Sequence, residues 1–220
     1  MDDVDLTRTI AGLALVPLLA AGCGGGGGDA DGGGGYGGGG EGDTSSPSPG
    51  AEQSGTDTTG GPSAEVSAEF EPYSEGARAV TYDEEAVPPG AGVELTVAPE
   101  EDRGTGFSLR LTGLTPDREY GAHMHTGACG EQPDDSGPHY QDQEDPEQPS
   151  TDPEYANDDN EVWLDVTTDS DGNADSEADV DWTPRSGEMK SLVVHAEHTR
   201  TGQGEAGKAG DRLACVDVEM

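Results

Sequence analysis

Gly113-Leu114-Thr115-Pro116-Asp117-Arg118-Glu119-Tyr120-Gly121-Ala122-His123-Met124-His125 is the stretch of this 220-residue chain that decides its fold. Gly113 and Pro116 mark a turn, and residues 119–125 then read as a strand. On a strand, residues two apart face the same side, so His123 and His125 project together. Two imidazoles on one face are half of a metal site. All five histidines lie between positions 123 and 198; His139 sits in Gly-Pro-His-Tyr, and His195 ends the apolar run Ser-Leu-Val-Val-His. His123, His125, His139 and His195 are therefore the candidate ligands, two from one strand, one from the end of another and one from a loop. A set of imidazoles without Cys or carboxylate partners suits copper first and zinc second.

The same period of two recurs along the chain, with little helical signal. Eight strands are expected, at 77–82, 92–98, 106–112, 119–125, 161–168, 174–181, 190–196 and 212–218. Pro89-Gly90, Gly113 with Pro116, and Asp171-Gly172 punctuate them. Eight short strands imply an all-β antiparallel sandwich or barrel. Residues 126–160 break the rhythm: they are polar, Pro-rich and expected to form no element of their own. A loop of that length in a compact domain is commonly functional, and this one carries His139.

Composition limits how much of the chain builds a core. Apolar residues make up 30% and aromatics 5%, against 36 glycines. Thirteen of those glycines fall within positions 24–40, and the sequence stays rich in Gly, Ser, Thr and Pro to about Ala64. Residues 23–65 are expected to form a flexible tether, which leaves one domain at 66–220. The formal net charge of −37, from 47 acidic and 10 basic residues, argues against nucleic acid as a partner and against attraction to an anionic membrane surface. An acidic excess spread along the domain is a solubility feature suited to high salt.

The apolar run at 10–21 is too short to span a bilayer and suits a secretory signal over 1–22. It leads into Leu-Ala-Ala-Gly-Cys, so Cys23 is the expected lipidated residue of a bacterial lipoprotein, holding the domain at the outer face of the cell membrane. Asp2, Asp3 and Asp5 beside a single Arg8 are a poor match to the basic start of such signals. Cys129 and Cys215 remain, either as a disulfide, which persists in an exported chain, or as two free thiols.

Taken together, these segments resemble the copper/zinc superoxide dismutase family. Residues 113–125 are similar to its copper-binding strand, Gly-Pro-His-Tyr at 137–140 to its bridging-histidine segment, Val-Val-His at 193–195 to its last copper ligand, and 207–215 to its C-terminal signature. The resemblance implies an eight-stranded antiparallel Greek-key barrel or sandwich of the immunoglobulin-like kind, of which this family is a standing example. By position, His123, His125 and His195 match the ligands of copper alone, and His139 matches the histidine that bridges copper to zinc. Cys129 and Cys215 match the family's disulfide, and Arg212 matches the guanidinium that attracts and orients superoxide. His139 also inherits a role in proton delivery.

Two departures concern zinc. The stretch 141–160 holds no histidine, only carboxylates such as Asp142, Asp152, Asp158 and Asp159, oxygen donors better suited to Ca²⁺ or Mg²⁺. Four residues past His195, where the family has an Asp linking the two metal sites, this chain has Thr199, with Glu197 and His198 as candidate replacements. The implied cofactor is therefore copper, with zinc doubtful, as in the copper-only branch of the family. The implied activity is copper-dependent dismutation of superoxide to oxygen and hydrogen peroxide at the cell envelope. The alternative is a copper-holding surface lipoprotein of the same fold with little turnover. Neither a monomer nor a dimer is legible.

Overall fold

The computed structural model describes residues 61–100 and 104–220. The expected signal, Cys23 and the tether up to residue 60 lie outside the described residues. Among the described residues ten strands form two facing sheets, and one 3-10 turn, Pro133–Ser136, lies outside them. The first sheet has the order β1 (Ala64–Glu69), β4 (Gly92–Glu100), β5 (Gly104–Thr112), β8 (Ala174–Val180), antiparallel throughout. The second runs β2 (Glu71–Pro72), β3 (Ala79–Thr81), β10 (Arg212–Asp217), β9 (Ser191–His195), β6 (Glu119–His125), β7 (Val166–Thr167). The all-β expectation holds as a sandwich; the sheets do not close into a barrel. One pairing, β2 with β3, is parallel rather than antiparallel.

The first sheet is set by alternation. Val93, Leu95 and Val97 of β4 pair with Leu111, Leu109 and Phe107 of β5, and all six are buried, while Glu94, Thr96, Ser108 and Arg110 between them are exposed. A one-residue slip would put this whole apolar set into water, so the register is firmly specified.

The second sheet is buried on both faces in its centre. In β6, Tyr120, Ala122 and Met124 join the core, as do Leu192 and Val194 of β9. The alternate residues, Gly121, His123 and His125, face the other way, yet they are also buried. The long loops cover them. Gly121 permits this: a Cβ there would meet the Glu197 carbonyl oxygen at 2.7 Å and the Ala209 side chain at 2.8 Å. Glycine is what lets the segment after β9 lie on the strand.

Three expectations change. β1 is a strand the sequence pattern did not reveal, and it takes in Ala64 and Glu65 from the expected tether. The expected strand at 161–168 pairs as a ladder only at Val166–Thr167, with an isolated bridge from Trp163 to His123. Residues 126–160 contain the 3-10 turn, a His125–His139 bridge and the buried residues Ser136, Tyr140, Gln141, Asp145 and Ala156, of which Tyr140 joins the main core, so the loop is built rather than structureless. Cys129 and Cys215 are joined in a disulfide across 86 positions, which ties the start of this loop to β10. Among the described residues no helix is long and apolar enough to cross a membrane.

Candidate metal centre

β6 and β9 are neighbours, and their register sets His123 opposite Val193 and Gly121 opposite His195. His195 therefore lies on the same outward face as His123 and His125, one pair along. His139 arrives from the loop through its bridge to His125. One ligand nitrogen from each of the four rings lies within 4.8 Å of the others. His123 Nδ1 is 3.0 Å from His139 Nε2, and His125 Nε2 is 3.3 Å from His195 Nε2.

The outer nitrogen of each ring is held by an acceptor. His125 Nδ1 donates to the Gly137 carbonyl at 2.9 Å, and His195 Nδ1 faces the Gly210 carbonyl at 3.4 Å. His139 Nδ1 meets Glu161 Oε2 at 2.8 Å. Gln141 Nε2 and Trp163 Nε1 also donate to Glu161, so this side chain is an acceptor and the His139 proton sits on Nδ1. His123 Nε2 donates to Thr199 Oγ1 at 2.5 Å, and the Thr199 hydroxyl in turn donates to Asp165 Oδ1 at 2.6 Å.

With all four outer nitrogens protonated, all four inner nitrogens present lone pairs to one another. Such an arrangement is repulsive unless a cation sits among them. Nitrogen donors placed at about 2.0 Å around one centre would stand roughly 2.8 Å apart as neighbours in a square array and roughly 4.0 Å as opposites. The observed separations fit a slightly expanded version of that set. The donors and the acceptors behind them thus suit a bound metal ion. Burial, reinforced by the neighbouring rings, lowers His123 and His125 well below the ordinary imidazole value and takes His195 down to about 3, which keeps the rings neutral and able to bind.

Arg212 reaches this site through a defect in β10. It pairs with His195, yet Ala214 pairs with Val194, so Leu213 is an extra residue. In an unbroken strand Arg212 would share the core-facing side with Ala214 and Val216. The bulge turns it to the face of the histidines. Its Nη1 donates to the Pro133 carbonyl at 3.1 Å and to Ser136 Oγ at 2.8 Å, so the 3-10 turn fixes the guanidinium. Burial lowers its pKa from the ordinary value, and the nearby Asp134 opposes that shift. His139, His195 and Arg212 line one open cleft of about 370 Å³, with Lys208 and Arg200 at its wall. Arg200 is paired to Glu197 at 2.6 Å and to Glu205 at 3.2 Å.

The structure thus brings together every histidine singled out as a ligand, and places Arg212 beside them. It does not bring in the other candidates. Among the described residues, Asp142, Asp152, Asp158 and Asp159 join no group able to hold an ion. Glu197 is engaged by Arg200, and the His198 ring bonds the Val166 carbonyl at 2.8 Å, so neither backs the histidines. That part falls to Glu161, Asp165 and Thr199. The first two were legible in principle: Glu161, Trp163 and Asp165 are alternate residues, and they face the site while Val162, Leu164 and Val166 enter the core. The strand period survives there even where the ladder does not.

No curated protein matches the chain. A double mutant of a SOD-like protein from Bacillus subtilis is 16% identical, with a TM-score of 0.48, over 60% of this chain and 92% of that one. The Cu/Zn superoxide dismutase from Brucella abortus is 20% identical, with a TM-score of 0.47, over 71% of this chain and 98% of that one. Residues 91–218 match the family described as copper/zinc superoxide dismutase. That span starts just ahead of β4, ends just past β10 and takes in all four histidines, the disulfide and Arg212, more than half of the chain, which belongs to the copper/zinc superoxide dismutase family.

Proposed function

We propose that this protein disproportionates superoxide with copper alone, at the cell envelope. The observation that carries the reading is the set of four inward-facing imidazole nitrogens opening, through His139 and His195, onto a cleft that also holds a fixed guanidinium. His123, His125, His139 and His195 would hold the copper. The chemistry a bound copper supplies is a one-electron couple, which is what converting two superoxide anions and two protons into oxygen and hydrogen peroxide requires. Catalysts of this class reach the diffusion limit, superoxide dismutase being a standing example.

The residues divide the remaining work. Arg212 offers charge-assisted hydrogen bonds to an anion in the cleft and is held in place for it by Ser136 and the Pro133 carbonyl. Lys208 adds a second positive charge at the wall. His139 keeps one proton on Nδ1, anchored by Glu161, and is the ring placed to carry a proton on Nε2 at the cleft. Glu161 stands at the nitrogen that would otherwise reach a second metal, which supports a site that works without zinc. Asp165, through Thr199, and the Gly137 carbonyl fix the rings of His123 and His125.

The envelope location rests on the sequence: the apolar run at 10–21, Cys23 and the glycine-rich stretch behind it. A lipid on Cys23 would anchor the domain and the tether would hold it clear of the bilayer. A copper-holding protein without turnover is the competing reading, and the fixed Arg212 argues against it, because storage needs no anion-orienting group. Superoxide decay followed by stopped flow, with the copper-loaded full chain and with Arg212→Leu, separates the two. Fast decay that drops about tenfold or more in the variant, with copper retained, supports the enzyme. Decay no faster than with buffer in both proteins would leave the holding function.

A further inference from the structure

Glu161 is not an isolated partner of His139. Its other oxygen, Oε1, accepts from the side chain of Gln141 at 2.7 Å, and Gln141 is as buried as Glu161 itself. The far end of that amide, Gln141 Oε1, accepts from the Asp145 backbone N–H at 3.0 Å and from Gln148 Nε2 at 3.0 Å. The Asp145 carboxylate in turn accepts from the Glu147 N–H at 2.8 Å and from Ser150 Oγ at 2.6 Å. Gln148, Pro149, Ser150 and Thr151 form one wall of the cleft over the histidines. An unbroken path of hydrogen bonds therefore runs from the His139 ring to that wall, and Gln141 is its midpoint.

The backbone of Gln141 is clamped separately. Arg185 donates through Nη2 to the Gln141 carbonyl at 2.9 Å and through Nη1 to the Asp142 carbonyl at 2.8 Å, while its guanidinium stacks over the Tyr140 ring at 4.7 Å. The side chain is thus left to serve the path alone. Its chemistry is specific: a primary amide has a donating end for the carboxylate and an accepting end for two N–H groups. Leucine would offer neither. Glutamate would set one carboxylate against another.

We propose that Gln141 is a positioning residue, tying the His139–Glu161 pair to the 145–151 wall of the cleft so that ring and wall are held as one unit. The inference goes beyond the activity proposed above and stands apart from it, since every bond in the path exists without metal or superoxide.

The test uses the metal-free full chain, labelled with ¹⁵N, and reads hydrogen exchange at two points, the His139 Nδ1–H and the Asp145 amide. In Gln141→Leu both are expected to exchange about tenfold faster or more, as the loss of one buried hydrogen bond on each side implies. A double variant, Gln141→Glu with Glu161→Gln, keeps every donor opposite an acceptor while moving the negative charge to position 141. It is expected to restore both exchange rates. A folded Gln141→Leu protein with unchanged exchange at both points would overturn the proposal. If Gln141→Leu does not fold, the double variant decides: slow exchange at both points supports the tie, and fast exchange or failure to fold overturns it. The same applies if Gln141→Leu speeds exchange and the double variant does not reverse it.

Discussion

Thr199→Val removes one oxygen from the path between Asp165 and His123 and changes little else, because the two side chains have nearly the same shape. The Thr199 backbone N–H keeps its bond to Asp165 Oδ2 at 2.7 Å. What is lost is the acceptor for His123 Nε2–H, and His123 is fully buried, so no water replaces it. An unsatisfied buried donor costs about 1–3 kcal/mol. The cost falls unequally on the two states. Without metal the ring can move its proton to Nδ1, facing His139 Nε2 at 3.0 Å, and escape most of the penalty. With metal the lone pair is needed on Nδ1, and the proton is forced onto Nε2. Copper affinity should therefore fall by about 10- to 100-fold, the range typical of removing a group behind a metal-bound histidine. The stability of the metal-free protein should fall by less than about 1 kcal/mol. Titration against a copper chelator of known affinity measures the first, and urea unfolding the second. An affinity within about twofold of the parent protein would refute the reasoning and mean that β6 alone aligns His123. Thr199→Asp should also weaken copper, since a second carboxylate would be set against Asp165, whose Oδ1 now lies 2.6 Å from Thr199 Oγ1.

Acid should destabilise the metal-free protein. The buried rings of His123, His125 and His195 have lowered pKa values in the fold, whereas in the unfolded chain they take up protons near pH 6.5, so the unfolded state binds more protons below that point. Stability is then complete above about pH 6.5 and falls as pH drops below it, by about 2 kcal/mol at pH 5 for His195, whose value in the fold is about 3, with His123 and His125 adding losses of the same sign. A urea midpoint that does not move between about pH 7.5 and pH 5 would contradict this. Reduction of the Cys129–Cys215 disulfide opens a loop of 86 positions and should lower stability by up to about 4.5 kcal/mol, read as a drop in unfolding midpoint on adding reductant. Activity should rise with moderate NaCl: the net charge of −37 repels superoxide at long range, and salt screens that beyond roughly 8 Å while leaving Arg212 and Lys208 effective inside the cleft. Rates that fall steadily from the lowest salt, with the fold intact, would show that attraction dominates instead.

The parts of this molecule that follow a short period could be read directly. β6 falls at 119–125 as the alternation around His123 and His125 requires, and β4, β5, β8, β9 and β10 lie within two residues of their expected ends. β1 escaped because Ala64–Glu69 holds one strongly apolar residue, Val66, behind a run of Gly, Ser and Thr; its pairing with β4 makes it a strand. The four histidines were legible because imidazole is rare in this chain and specific in what it does. Glu161 and Asp165 carried only the weak signal of their alternation with Val162, Leu164 and Val166, because among 47 acidic residues two more carboxylates do not stand out. Only the covering loops, by burying Glu161 against His139, Gln141 and Trp163, distinguish it from the solvated acids. The bulge at Leu213 is equally silent in sequence, yet it decides which way Arg212 faces.

Copper-only catalysis is decided by superoxide consumption by the full chain loaded first with copper alone and then with copper and zinc, with metal counted in the same samples. One copper per chain, full activity without zinc and no further metal uptake are expected. Activity that appears only when zinc is added, or one tightly held copper with no turnover, would contradict copper-only catalysis.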